Sequence, residues 1–210
     1  MEENHDHCDH EHEHEHDHEQ EHKPKTLYKW LFSIIFIPLC LLLISHYTSS
    51  QLSIAGSSYL GYDMFKEAIK QYKKSLFFNK KNIEAGNWLA YCYNQIGDRE
   101  SAITQYSKVI EIDPGNRKAL HSLGLLLGLE GKYQQAIKPL EQLRSLGPIT
   151  DGSETQGINF YISGLQILAT CYERIGEMKK ARDMLIEVVK YDPKDKNSRA
   201  KLKDLESKLR

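Results

Sequence analysis

Residues 83–116 read Ile83-Glu-Ala-Gly-Asn-Trp-Leu-Ala90-Tyr-Cys-Tyr-Asn-Gln-Ile-Gly97-Asp-Arg-Glu-Ser-Ala102-Ile-Thr-Gln-Tyr106-Ser-Lys-Val-Ile110-Glu-Ile-Asp-Pro114-Gly-Asn116. The second half of this stretch recurs. Phe65-Lys-Glu-Ala68, Arg99-Glu-Ser-Ala102 and Tyr133-Gln-Gln-Ala136 set an alanine every 34 residues, and Tyr72, Tyr106 or Leu140 follows four residues later. A fixed period of this length marks a helix–turn–helix solenoid, in which no unit buries its apolar face alone. Gly97, Gly131 and Gly176 fall between two apolar-periodic segments, where a left-handed residue ends the first helix. Ala102, Ala136 and Ala181 are small because paired helices must approach to about 8–10 Å. Pro114, Pro148 and Pro193 are placed to stop the second helix, since proline lacks the amide proton of a continuing turn.

The pattern resembles the tetratricopeptide repeat family. In the second unit, Leu89-Ala90, Tyr93, Gly97, Ala102, Tyr106, Ile110 and Asp113-Pro114 supply the large–small pair, aromatic, turn glycine, small residue, aromatic and terminal proline of that family. The third unit offers Leu120, Leu123-Gly124, Gly131, Tyr133, Ala136, Leu140 and Pro148; the fourth offers Leu165, Leu168-Ala169, Tyr172, Gly176, Ala181, Leu185, Val189 and Asp192-Pro193. The first unit departs from the pattern. Gly56, Tyr59, Ala68 and Tyr72 fit, but Asp63 replaces the turn glycine and Lys80 the proline. The expected fold is all-α: four repeats at about 49–82, 83–116, 117–148 and 160–193, closed by a capping helix in 194–210. Leu202, Leu205 and Leu209 form the one apolar stripe of that last helix. Ala181 follows Ala136 by 45 residues, so about 11 extra residues enter at 149–159. Asp151-Gly-Ser-Glu-Thr-Gln-Gly157 has the composition of a loop.

Charge divides the rest of the chain. Residues 1–22 carry ten Asp/Glu and no Lys/Arg, a formal −10, against +9 for the remainder; the net charge of −1 is their sum. Residues 1–26 are too poor in branched aliphatic and aromatic side chains to fold alone. Residues 27–47 then hold an apolar run from Trp30 to Ile44, about 20 residues with its flanks and long enough to cross a hydrocarbon layer. Tyr28, Trp30 and Tyr47 suit the two interfaces, and Pro38 should kink the helix. A cleaved signal peptide and a buried soluble helix are the competing readings. The long acidic segment upstream and the poor cleavage context of Ser45-His-Tyr-Thr-Ser-Ser50 favour a retained single-pass anchor. Lys23, Lys25 and Lys29 precede it and no Lys or Arg follows until Lys66. The positive-inside rule therefore favours, over the reverse orientation, a tail in the cytoplasm and repeats outside it, in the periplasm if the cell is Gram-negative.

The tail has the composition of a metal-binding segment, with a solvating polar tail or an artificial tag as the competing readings. His5, His7, His10, His12, His14, His16, His18 and His22 accompany Cys8. Imidazole binds Zn, Ni, Cu and Co, and alternate spacing sets neighbouring rings on one side of an extended chain. Without the Cys-x2-Cys or His-x3-His spacing of a fixed tetrahedral centre, weak exchanging sites are expected, and no cofactor is required. Cys92 and Cys171 occupy equivalent positions two repeats apart, too far for a disulfide. No phosphate-cradling glycine loop or dinucleotide fingerprint occurs, and His121 is the one histidine beyond the tail and anchor region, so an enzyme is not expected. The basic residues of the body are spread along helices without a stacking platform, which argues against nucleic acid.

The family resemblance implies a concave groove lined by the first helix of each unit. That places Asn87, Tyr91 and Asn94, then His121 and Leu125, then Gln166 and Thr170 toward a protein partner. Some family members grip a C-terminal carboxylate with Lys, Arg and Asn. Ser53, Ser57, Tyr91, His121 and Leu125 stand at those places, so that clamp is absent. The expectation is a neutral, amide-rich groove for an extended peptide or helix, with Tyr91 as anchor. Two functions follow: a membrane-tethered adaptor, or a metal-handling accessory that docks a client metalloprotein or transporter.

Overall fold

The computed structural model describes residues 25–149 and 155–209, with side chains from Ser33 and, past the gap, from Asn159. Among the described residues the chain is entirely helical: α1 (Lys25–Leu60), α2 (Phe65–Phe78), α3 (Ile83–Gln95), α4 (Arg99–Ile112), α5 (Arg117–Leu129), α6 (Tyr133–Ser145), α7 (Thr155–Arg174), α8 (Met178–Tyr191) and α9 (Lys196–Lys208). The chain divides into two units, 1–42 and 43–210. In the first, the described residues are helical and outward-facing: Ile34, Ile35, Phe36, Ile37 and Leu39 are all exposed. Ser33–Leu60 is the one described segment whose length and composition suffice to cross a membrane.

The second unit is built from helix pairs. The last residues of α1 lie against α2 in the first pair, with Gly56 on Tyr72 and Ser49 bonded to Ser75; α3 and α4, α5 and α6, and α7 and α8 form the next three, and α9 packs on α8. One contact repeats in every pair, a small residue on the first helix facing a large one on the second. A Cβ on Gly56 would lie 2.7 Å from the Tyr72 ring, and one on Gly124 would overlap the Leu140 side chain. Ala90 and Ala169 hold the same place in their pairs and are fully buried, as are Ala68, Ala102, Ala136 and Ala181 opposite them. These close approaches let Tyr72, Tyr106, Leu140 and Leu185 sink into the core.

The turns within pairs use the left-handed conformation, with φ of 82°, 72° and 87° at Gly97, Gly131 and Gly176. Asp63 adopts the same conformation, φ 54°, where the first unit lacks glycine. The second helices end before their prolines. Asp113 and Asp192 follow α4 and α8 directly and precede Pro114 and Pro193. In the third unit Gly147 at φ 69° makes the turn after α6, so the stop expected of Pro148 comes one residue earlier. Arg117 donates to the carbonyls of Leu146 and Gly147 and holds that turn against α5.

The structure corrects the insertion. Residues 149–159 were expected as a loop, but α7 starts at Thr155, so the last five are helical and lengthen the first helix of the fourth unit to 20 residues. Tyr161 and Leu165 within α7 are buried, which gives the added turn a core to follow. The capping helix begins on Asp195, whose carboxylate accepts from the amides of Asn197 and Ser198; Leu205 is fully buried beneath it.

Two substitutions test this packing. Gly124→Val in the full chain in detergent should lower the unfolding free energy in urea by about 2–3 kcal/mol, because Leu140 has no room to retreat. Asp63→Val should cost about 1–2 kcal/mol through the left-handed backbone, while Asp63→Gly should not lower the urea midpoint.

Candidate partner-binding groove

The first helices of successive units lie side by side, and their N-termini are capped in register. Asn82 and Asn116 accept from the amides of Ala85 and Ala119 through their side-chain oxygens, each at 3.0 Å. Asp195 caps α9 in the same way. Those caps bind the preceding unit. Asn87 donates to Asn116 at 3.3 Å, and Gln166, at the equivalent place in α7, donates to Asp195 at 2.8 Å. His121 holds that place in α5, and its Nε2 lies 2.9 Å from the Ser163 hydroxyl of the next first helix. Asn87, His121 and Gln166 are thus staples between consecutive repeats. Asn87 is only 7% exposed and lines neither of the recesses described next.

The open surface beside the staples consists of two recesses. One, of about 310 Å³, gathers Tyr91, Asn94, Lys118, His121, Leu125, Leu129 and Phe160. Its neighbour, about 290 Å³, shares Leu125 and Leu129 and adds Gln166, Ile167 and Thr170. Six of the seven sequence-derived groove residues therefore meet at this surface. Thr170 is partly engaged: its hydroxyl donates to the Gln166 carbonyl and accepts from Lys201, which also pairs with Glu173 at 2.8 Å.

The groove is more aromatic and less neutral than its sequence implied. Trp88 stacks edge-on against Tyr91 at 5.7 Å between centroids, and Phe65 also meets Tyr91 edge-on at 6.3 Å. Lys118 lies 3.6 Å over the Trp88 ring. Burial lowers the Lys118 pKa, with Glu84 opposing the shift. A half-desolvated ammonium on an indole face is held there by the ring quadrupole. Phe160 packs on His121 at 5.2 Å, and Leu129 stands 62% exposed at the rim. Trp88, Lys118, Phe160 and Leu129 escaped the sequence reading. The first three lie on turns of the first helices next to the expected residues. Phe160 also depends on the helical extension of α7, which the loop reading hid. The proposed metal ligands His5 to His22 and Cys8 lie outside the described residues. Among the described residues no cluster of three His, Cys, Asp or Glu stands ready for a metal.

Two segments, residues 83–116 and 164–195, match tetratricopeptide repeat family models. The chain contains tetratricopeptide repeats. TPR repeat-containing protein YpiA of Bacillus subtilis is 27% identical over 136 residues, 65% of this chain but 29% of YpiA's own length. Among solved structures, MamA from Desulfovibrio magneticus RS-1 superposes with a TM-score of 0.65 at 17% identity, covering 77% of this chain and 85% of that one. YrrB, described as a TPR protein with an unusual peptide-binding site, gives a TM-score of 0.59 at 17% identity, covering 86% and 87%. These likenesses fix the fold as a tetratricopeptide-repeat solenoid.

The His121 staple gives a pH prediction. Burial lowers the imidazole pKa below its ordinary value of about 6.5. The folded state therefore resists protonation, so the stability it holds is complete above about pH 6.5 and falls as pH drops through that value toward the folded pKa. His121→Gln, which copies Gln166, should remove this component. Urea midpoints of the two proteins measured between pH 7.5 and 5 should diverge downward for the wild type.

Proposed function

We propose that this protein is a membrane-anchored scaffold that holds a segment of a partner protein in the groove formed by α3, α5 and α7. The carrying observation is the recess in which Tyr91, Leu125, Leu129 and Phe160 lie beside Lys118. Rigid aromatics beside apolar side chains are the composition of binding hot spots. Lys118 adds a preference: a segment whose apolar anchor is flanked by Asp or Glu would return to that ammonium the solvation lost on burial. That YrrB, a protein of the same fold, is described as having an unusual peptide-binding site agrees with peptide binding by such repeats. The hydroxyl–imidazole pair at the groove, Ser163 with His121, we read as a tie between repeats, with no catalytic role.

In this reading residues 27–47 are the anchor, the tail is cytoplasmic, and the repeats work on the other side of the membrane. The tail's eight histidines favour a second role, binding Zn, Ni, Cu or Co in weak exchanging sites. If that role dominates, the protein is an accessory that buffers or senses a metal and docks a client metalloprotein or transporter.

Affinity purification of the full chain from solubilised membranes separates these readings. Leu125→Glu should abolish partner recovery, and deleting residues 1–22 or adding a chelator should leave it intact. Loss on deletion or chelation would favour the metal accessory. Full recovery with Leu125→Glu would place the partner elsewhere.

A further inference from the structure

The turn between the first two repeats differs from its counterparts in a way the groove does not use. It reads Phe77-Phe78-Asn79-Lys80-Lys81-Asn82. The equivalent turn after α4 reads Glu111-Ile112-Asp113-Pro114-Gly115-Asn116, and that after α8 reads Lys190-Tyr191-Asp192-Pro193-Lys194-Asp195. Position 77 is thus Phe where the other repeats carry Glu111, Ser145 and Lys190. Asn79 replaces the aspartates, and two lysines replace Pro-Gly. Against the turn after α4, two acids are lost and two cations and two aromatics are gained.

These side chains are not there for packing. Phe77 is 78% exposed and Phe78 46%, stacked edge-on at 5.5 Å, and Lys80 and Lys81 are exposed beside them. Their position along the chain is informative. The Ser45 hydroxyl donates to the Phe78 carbonyl at 2.5 Å, and Ser45 is the residue immediately after the apolar run ending at Ile44. Tyr47, two residues on, is 66% exposed.

Beside this turn lies a crevice of about 320 Å³ whose lining includes His46, Ser50, Ser53, Asn79, Lys81 and Glu84. It sits at the junction of the first two repeats, where the tie is made by Asn82, which donates to the Ser49 and Ser75 hydroxyls. Ser53 occupies the place of Asn87, His121 and Gln166 but is too short to reach across, and its buried hydroxyl has no partner. The crevice therefore offers an unused hydrogen-bonding group, two side chains able to carry positive charge, and a carboxylate.

We propose that this end of the first repeat is a docking surface for the anionic headgroup layer of a bilayer. Phe77, Phe78 and Tyr47 enter the interfacial region, as aromatic rings do at membrane boundaries, and Lys80 and Lys81 meet lipid phosphates. One headgroup seats in the crevice, its phosphate on Lys81 and His46 and its glycerol hydroxyls toward Glu84 and Ser53. The inference rests on the anchor reading above and adds that the first repeat itself touches lipid.

The test uses the full chain in nanodiscs of phosphatidylcholine with and without phosphatidylglycerol. A fluorophore at Phe77→Cys should be quenched several-fold more by headgroup-nitroxide lipid than one at the equivalent Lys190→Cys, in a background with the four cysteines replaced. The difference should shrink without phosphatidylglycerol or with Lys80→Glu and Lys81→Glu. Amide exchange on the unmodified chain, which needs no variant to fold, should slow at residues 79–82 in the anionic discs and stay unchanged at 113–116. Equal quenching at both positions, or exchange indifferent to lipid charge, would overturn the proposal. So would a signal abolished by inorganic phosphate at constant ionic strength, which would mean a site for soluble anions. Carbonate extraction of the chain from native membranes is the separate check: release would defeat the anchor and this proposal together, whereas retention with equal quenching would defeat the docking surface alone.

Discussion

The contact between a small residue on the first helix of each pair and a large one on the second is the constraint on which the second unit rests. Gly56 against Tyr72 and Gly124 against Leu140 leave no room for another carbon. Overpacking at such contacts costs about 1–3 kcal/mol, enough to outweigh the better helix propensity of a larger residue. Small buried residues, Ala90 and Ala169, hold the same place in the other two pairs. A groove made of first helices follows from that repetition.

That contact alone does not hold the first helices together. The position filled by Asn87, His121 and Gln166 reaches the next unit in each case, twice at the residue that caps the following helix. One side chain therefore satisfies a cap and ties two repeats. This division leaves Tyr91, Leu125 and the aromatic residues around them available at the surface, and between the first two repeats the tie passes to Asn82 with Ser49 while the Ser53 hydroxyl stays without a partner. Around the fourth repeat a separate network reinforces the long α7: Tyr161 donates to Glu187, Arg144 bonds Glu187 at 2.9 Å, and Tyr172 donates to Glu141 at 2.7 Å. These bonds join α6, α7 and α8 where the inserted residues would otherwise weaken the junction.

Helix number, turn positions and core alanines were legible because each rests on a local rule. Glycine at φ near 80° and alanine at a close crossing leave a trace at a fixed spacing. Asp63 shows the limit: its left-handed backbone was visible only as a departure from the pattern. The helical start of α7 was illegible because Asp151-Gly-Ser-Glu-Thr-Gln-Gly157 has loop composition, while the burial of Tyr161 and Leu165 is a tertiary fact. The groove was half legible. The family resemblance implied which helix face turns inward, but whether an amide there is free or bonded to the next cap depends on a partner 29 residues away, as for Asn87 with Asn116. Lys118 over Trp88 was hidden for the same reason, since the two residues belong to different repeats.

The central claim is that the concave face, built on the repeated small–large contact, is where a partner protein segment lies. Site-specific photocrosslinking in native membranes tests it directly, with the reactive residue placed at Tyr91 on the groove or at Lys138 on the exposed side of α6. The account predicts one discrete crosslinked band from position 91 and none from position 138. A band from position 138 with none from position 91 would contradict it.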